Sequence, residues 1–378
     1  MKTIKLLHIR SSYSYGGPER QITYLTNSLA EQGISSGVAT FAPRETLRRN
    51  QYYAKLCELG ITAHRIDISG SFDFSCLQTL ETLIAQEEYT VLVGHDYRAD
   101  YFVTRLARSC HLPAISFSRG WTRHTLKVRF YEWLDYRFLK RMNGVVAVSQ
   151  AKLRELTNRG VAADRLIYIP NSIMIESIAT RTDVIRNRFS IPRDVFLVGT
   201  AGRLSVEKNQ EVLIRAARRL LEKDPSLPVW FLIAGEGPRR KALEEVITPR
   251  FRDRIILAGW IDDNDDFYAD IDLFALTSDR EGFPNVLLEA GKYNLPVIST
   301  PAGGVPEIIT DDASGRLTPF GDSDRLAEII LELHADRAKR QALGEKLGAL
   351  TRERYDARLN AAQFLEFVTG IQDKYEKA

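Results

Sequence analysis

Two glutamates, Glu281 and Glu289, bracket the segment EGFPNVLLE, and between them lie a turn and the start of a helix. The preceding IDLFALTS reads as a buried strand ending at Ser278. Gly282 and Pro284 then end the strand, and Val286, Leu287, Leu288 and Ala290 carry the apolar face of a helix. Glu281 is thereby assigned to the loop and Glu289 to the helix. The first N–H groups of a helix have no intrahelical partner, so the amides near Asn285, Val286 and Leu287 would form an anion site between the two carboxylates. Amides donate to phosphate oxygens, and carboxylates accept from vicinal hydroxyls. The set fits a diphosphate flanked by a sugar and a ribose. The same glutamates also fit a solvated loop residue and a water-facing helix residue, and the remaining motifs decide between these readings.

Two other loops carry chemistry of the same kind. SSYSYGGPER follows the first apolar run, and Gly16 and Gly17 let backbone N–H groups approach an anion closely, although a Gly-Gly pair is also an ordinary turn. In GTAGRLSVEKN, Gly202 ends a buried strand and places Arg203 and Lys208 just past it, where two cations could converge on a departing diphosphate. Neither stretch contains G-x-G-x-x-G, which argues against a dinucleotide enzyme. The glycines Gly235, Gly237 and Gly259 mark strand ends on the nucleobase side, or serve only as turn glycines.

Taken together, these motifs resemble the family-four retaining glycosyltransferases, the glycosyl transferases group 1 type, which have the GT-B fold. The resemblance rests on E-x7-E with an interior G-F-P, on GGVPEII at Gly303 to Ile309, and on the run Gly202, Arg203, Leu204, Glu207, Lys208 and Asn209. It extends to Gly16, Gly17, Pro18 and Glu19, in the expected order across nearly the whole chain. It implies a donor site of Gly16, Gly17, Gly202, Arg203, Lys208, Gly237, Glu281, Gly282, Phe283, Pro284, Asn285, Val286, Leu287 and Glu289. No cofactor is required, and the donor is a UDP-, GDP- or ADP-sugar. His95 joins Arg203, Lys208 and Glu281 as a catalytic candidate, and His95, Asp96, Ser118 and Arg119 form the acceptor side. Many family members carry a histidine where this chain has Ser118 and Arg119. Arginine is permanently charged, so any role at that position is electrostatic. The acidic run Asp262 to Asp266 could attract a metal ion, but acidic residues are favoured at helix starts without one, and the family transfers without metal.

Positioning these loops requires two sheets. The 378 residues exceed one ordinary core, and 44% hydrophobic residues are ample for burial. Seven apolar runs from Ile4–Ile9 to Leu166–Ile169 alternate with helical patterns, among them Leu47–Leu59 and Lys127–Arg141. Six more, from Phe196–Thr200 to Gly315–Leu317, repeat the scheme. The alternation predicts an α/β protein with two Rossmann-like, doubly wound parallel sheets, whose ligands lie beyond the carboxyl ends of the strands, so that the loops of both halves can face one central cleft. The boundary is expected between Pro170 and Thr182, giving an acceptor-side domain 1–175 and a donor domain 176–358. The resemblance implies that a last helix, about 359–378, packs back on the first domain.

Charge separates the halves. Up to Thr180 there are 23 basic against 16 acidic residues, which leaves 29 against 33 from the totals of 52 and 49. Basic residues concentrate between Arg119 and Arg141: Arg123, Lys127, Arg129, Arg137 and Lys140 stand among Trp121, Phe130, Tyr131, Trp133, Tyr136 and Phe138. That composition fits an interfacial helix on anionic lipid, and equally a core helix with a solvated basic face. No nucleic-acid motif accompanies it. No apolar run is long enough to span a bilayer and the start carries no signal-peptide pattern, so a cytoplasmic enzyme is expected, with a peripheral place at the inner face of the membrane if the segment binds lipid. Cys57, Cys76 and Cys110 are too scattered for a disulfide framework or a zinc site. The expected activity is transfer of a sugar from a nucleotide diphosphate sugar to an acceptor hydroxyl, in cell-surface polysaccharide or glycolipid assembly. A sugar-nucleotide epimerase and a catalytically silent nucleotide-sugar-binding module are the alternatives.

Overall fold

The computed structural model describes residues 3–43, 50–69, 75–119, 126–175, 181–261 and 264–377. The chain forms two compact units, Met1–Met174 with Asp356–Ala378 (unit 1) and Ile175–Tyr355 (unit 2).

Unit 1 contains β1 (Lys5–Arg10), α1 (Gly17–Glu31), β2 (Ser35–Pro43), α2 (Gln51–Glu58), β3 (Thr62–Ile68), α3 (Cys76–Gln86), β4 (Val91–Gly94), α4 (Tyr97–Ser109), β5 (Ala114–Ser118), α5 (Leu126–Leu139), β6 (Gly144–Ala147), α6 (Gln150–Asn158) and β7 (Leu166–Tyr168). The strands pair in parallel in the order β3-β2-β1-β4-β5-β6-β7. Central strands covered on both faces read as unbroken apolar runs. Leu6, Leu7, Ile9, Val91, Leu92 and Val93 are accordingly buried. The helix expected from Leu47 begins instead at Gln51: the Asn50 side chain accepts from the Tyr53 amide at 2.9 Å and caps it there, and residues 44–49 lie outside the described residues.

Unit 2 contains α7 (Val184–Arg188), β8 (Phe196–Ala201), α8 (Glu211–Lys223), β9 (Val229–Ala234), α9 (Arg240–Val246), β10 (Ile255–Gly259), α10 (Asn264–Asp270), β11 (Leu273–Leu276), α11 (Asn285–Lys292), β12 (Val297–Ser299), α12 (Val305–Ile308), β13 (Arg316–Leu317), α13 (Ser323–Ala335) and α14 (Arg337–Arg354). Its parallel sheet runs β10-β9-β8-β11-β12-β13. α8 and α13 bury their apolar stripes on one face of it, through Leu213, Ala217, Leu221, Leu326 and Ile330.

α15 (Ala357–Glu376) returns to unit 1 and packs on α1. Gly144 makes its seat on β6, since a Cβ there would come within 2.3 Å of Ile371. Arg358 pairs with Glu31 at 2.9 Å, and Phe364 meets Phe117 at 5.1 Å between ring centroids. Among the described residues no helix is long and apolar enough to cross a membrane.

Candidate active site

In each sheet the strand order reverses beside the first strand, between β1 and β4 in unit 1 and between β8 and β11 in unit 2. Loops leaving the carboxyl ends of strands diverge at such a point and leave room for a ligand.

In unit 2, four adjacent strands supply the candidate residues. β8 runs into Gly202 and Arg203, and a single short turn then carries Lys208 back to the strand ends. The Gln210 amide donates to the Arg203 carbonyl at 2.9 Å, which fixes the loop, while the Arg203 side chain is exposed and has no partner among the described residues. Lys208 Nζ donates to Glu281 Oε1 at 2.7 Å, with the carboxylate side chain only 8% exposed. The motifs after β8 and β11 are therefore brought together, 73 residues apart in sequence. Gly235 and Gly237, after β9, act through backbone packing: a Cβ would lie 1.9 Å from the Gly202 carbonyl or 2.3 Å from the Leu204 carbonyl. Gly303, after β12, has φ +54°, and a Cβ there would meet the Glu281 carbonyl at 1.8 Å, while the Gly304 amide donates to the Gly282 carbonyl at 2.9 Å. The GGVPE motif thus clamps the loop that carries Glu281.

Pro284 is the N-cap of α11. Of the three amides expected to point outward, that of Leu287 donates to the Pro284 carbonyl at 3.2 Å in a tight first turn, which removes it from the anion site. The Val286 amide has no partner among the described residues. Phe283 is buried and meets Tyr355 at 5.4 Å. Glu289 is buried rather than water-facing, and the Tyr268 hydroxyl donates to its Oε2 at 2.7 Å. Sequence reading did not single out Tyr268, whose phenol orients that carboxylate. In the acidic run, Asp265 pairs with Lys292 at 3.2 Å, and Asp262 and Asp263 lie outside the described residues.

In unit 1, Gly16 and Gly17 open α1, and Glu19 reaches back to accept from the Gly16 amide at 3.1 Å. Its other oxygen accepts from Arg10 Nε at 2.9 Å, and Arg10 also donates to the His95 carbonyl at 2.8 Å. Asp96 caps α4 through the Arg98 and Ala99 amides and accepts from the Ser11 amide and hydroxyl. Ser118, at the end of β5, is buried. Arg119 donates to Asn171 Oδ1 at 2.8 Å and lies 5.2 Å from the Phe117 ring centroid. Burial and the neighbouring Arg10 pull the Arg119 guanidinium down to about 10, so it stays charged at neutral pH. Trp121 and Arg123 lie outside the described residues.

His95 is placed in the interior. Its Nε2 and His8 Nδ1 are 2.9 Å apart and share one proton, and its ring stacks on Phe117 at 5.0 Å. Burial and the Arg119 charge press His8 down to about 3, and burial, His8, Arg119 and Arg10 hold His95 well below the ordinary imidazole value. Both imidazoles are neutral at physiological pH. Because the unfolded chain would protonate both below about pH 6.5, the stability they contribute is complete above that value and drains away as pH falls toward 3. Thermal unfolding of the full chain should shift to lower temperature between about pH 7 and pH 5, and His8→Asn should flatten this dependence. Identical slopes in both proteins would remove the pair from the pH response.

Residues 15–177 match the family described as Glycosyltransferase Family 4, and residues 181–347 match Glycosyl transferases group 1. The chain belongs to this glycosyltransferase family. It is 25% identical to the lipopolysaccharide core biosynthesis glycosyltransferase LpsD of Rhizobium meliloti over 96% of this chain and 97% of that one. It is also 32% identical to LpsE of the same organism over 43% of this chain, a match spanning 46% of LpsE. The crystal structure of Anabaena Alr3699/HepE in complex with UDP and glucose superimposes with a TM-score of 0.85 at 21% identity, over 97% of this chain and all of that one, and shares its GT-B fold.

Proposed function

We propose that this glycosyltransferase takes a sugar from a nucleoside diphosphate and transfers it to an acceptor hydroxyl with retention of anomeric configuration and without a metal ion, in the assembly of a cell-surface polysaccharide or glycolipid. The observation that carries the reading is the Lys208–Glu281 pair, which sets a cation and a carboxylate side by side at the ends of β8 and β11, next to the start of α11. In the step, the bond from the anomeric carbon to the β-phosphate oxygen breaks, and a bond to the acceptor oxygen forms. The acceptor proton passes to the departing phosphate oxygen. Negative charge gathers on the diphosphate as the bond breaks, and Arg203 and Lys208 stabilise it as fixed cations. Glu281 accepts from hydroxyls of the transferred sugar, and Glu289, steadied by Tyr268, from the ribose. UDP-sugars are the first donors to test, since HepE is described with UDP, glucose and UDP-glucose.

Incubation with UDP-, GDP- and ADP-sugars, read for free nucleotide with and without acceptor extract and with chelator present, tests donor choice, acceptor dependence and metal independence, and the anomeric configuration of the product tests retention. Acceptor-dependent release that survives chelator is expected. Sugar conversion without acceptor would favour an epimerase, and nucleotide binding without turnover a silent module.

The same reading places the enzyme in the cytoplasm, at the inner face of the membrane. α5 supports this: Phe130 and Trp133 are 56% and 48% exposed and stack at 5.8 Å, and the Arg137 guanidinium lies 4.1 Å from the Trp133 ring centroid. Lys140 and Arg141 are exposed at the end of the helix, while Tyr136 and Leu139 face the core. Aromatic rings beside cations suit an anionic lipid surface, with each basic residue contributing about 1 kcal/mol and the attraction fading with salt. At low salt the protein should float with anionic vesicles and less with neutral ones, and Arg137→Glu with Lys140→Glu should abolish the difference. Equal recovery with both vesicle types would leave a soluble acceptor as the better explanation.

A further inference from the structure

We propose that a groove along the open edge of the unit 1 sheet binds a neutral oligosaccharide, the sugar chain of the acceptor beyond the residue that receives the transferred sugar. The inference rests on the transfer reading above and names the class of its acceptor.

β3 is the outermost strand, so among the described residues no strand pairs its outer edge. Beside it lies a groove of about 750 Å³, walled by β3, by Tyr53 of α2 and by one face of α3. On α3 that face presents Gln78, Thr79, Thr82 and Gln86, all exposed and aligned at helical spacing, with the half-buried Leu83 beside them. The stripe carries no charge, in a chain where 27% of residues are charged. The only charged residue of α3, Glu81, lies off the stripe, on another side of the helix. Thr82 donates to the Gln78 carbonyl at 3.0 Å and keeps its accepting lone pairs, and the side chains of Gln78, Thr79 and Gln86 have no hydrogen-bond partner among the described residues.

Amides and hydroxyls both donate and accept, as sugar hydroxyls do. Covering them with a neutral sugar therefore exchanges water for matched partners without burying an ion, which a charged wall would not allow. Opposite the stripe, the half-buried Tyr53 ring and the Arg65 guanidinium, 5.9 Å from its centroid, offer a flat face to a sugar ring. Asp67 lies 3.5 Å from Arg65 and keeps that rim near neutrality. A peptide would select charges or apolar pockets, and on α3 this wall presents no charge and a single half-buried leucine, Leu83.

The position also fits. Ser75, at the head of α3, lies toward the carboxyl ends of the strands, the end at which β1, β4 and β5 present Arg10, Asp96 and Arg119. β3 is two strands from β1, or about 10 Å at the usual strand spacing. An oligosaccharide with its receiving hydroxyl near β1 and β4 is long enough to cover that distance, whereas a single sugar ring is not.

The full-length protein should be applied to immobilised neutral oligosaccharides running from disaccharides to longer chains, alongside the variant carrying Gln78→Glu and Thr82→Glu. These exposed helix positions tolerate the exchange without loss of fold. The wild type is expected to retain longer chains over disaccharides, and the variant to bind them roughly tenfold more weakly or worse. Nucleotide binding should be equal in both proteins. Failure of the wild type to bind any of the oligosaccharides, or equal binding by the variant, overturns the proposal. Release of nucleotide from the sugar donor, measured separately, tests the transfer reading alone, so its loss with glycan binding intact would count against transfer and not against the groove.

Discussion

Arg203→Ala is expected to lower turnover by about a hundred- to a thousand-fold at saturating donor while leaving the unfolding midpoint of unit 2 where it was. The two halves of that result have separate causes. The guanidinium is exposed and has no partner among the described residues, so its removal opens no cavity and strands no buried charge. Its backbone is held independently, through the Gln210 bond to the Arg203 carbonyl and the packing of Gly235 against Gly202. What disappears is the cation proposed to meet the departing diphosphate, an interaction worth most when negative charge is greatest. Lys208→Ala should behave differently. The Glu281 side chain is only 8% exposed and accepts from that lysine at 2.7 Å, so this variant should lose stability as well as turnover. Denaturant unfolding beside steady-state kinetics separates the cases, and near-wild-type turnover by Arg203→Ala would remove the residue from the reaction.

The placement of the candidate residues on loops and helices was legible in the sequence, and their chain-distant partners were not. Buried parallel strands such as Leu273–Leu276 are plain in sequence because both faces must be apolar. The break at Gly282 and Pro284 likewise placed Glu281 in a loop and Glu289 on α11. That Lys208 neutralises Glu281, or that Tyr268 holds Glu289, follows from tertiary packing and leaves no local trace. His8 is the clearest case. In KLLHIR it occupies an apolar strand and carries no sign of a role, yet it faces His95 across 87 residues and fixes that imidazole as a neutral, buried group. His95 was conspicuous at a strand end, and the feature that defines it, burial beside a second histidine and two arginines, exists only in the folded unit. Gly303 belongs to a motif the sequence displayed. Its necessity lies in φ +54° and in the Glu281 carbonyl that any side chain would strike.

Glu281→Ala should lower turnover without lowering nucleotide affinity. The carboxylate is proposed to accept from hydroxyls of the transferred sugar, contacts that tighten as the glycosidic bond breaks, and each lost charged hydrogen bond costs about 1.5–3 kcal/mol. Turnover should therefore fall by roughly ten- to a hundredfold or more. Lys208, meanwhile, loses the partner 2.7 Å away that balances its charge. With that carboxylate gone, the ammonium is freer to bind a diphosphate, so nucleoside diphosphate should bind as tightly as before or more tightly. A residue that merely maintained the loop would weaken both quantities together. Glu281→Gln sharpens the comparison, since it keeps the side-chain volume and an accepting oxygen while discarding the charge, and it should fall between wild type and alanine in turnover. Combining Glu281→Ala with Lys208→Ala should cost less than the product of the single losses, because each single change already breaks the shared ion pair. Calorimetric titration with UDP and GDP beside initial-rate measurements reads the wild type and all four variants. Parallel loss of nucleotide affinity and turnover in Glu281→Ala would sink the assignment of Glu281 to the sugar.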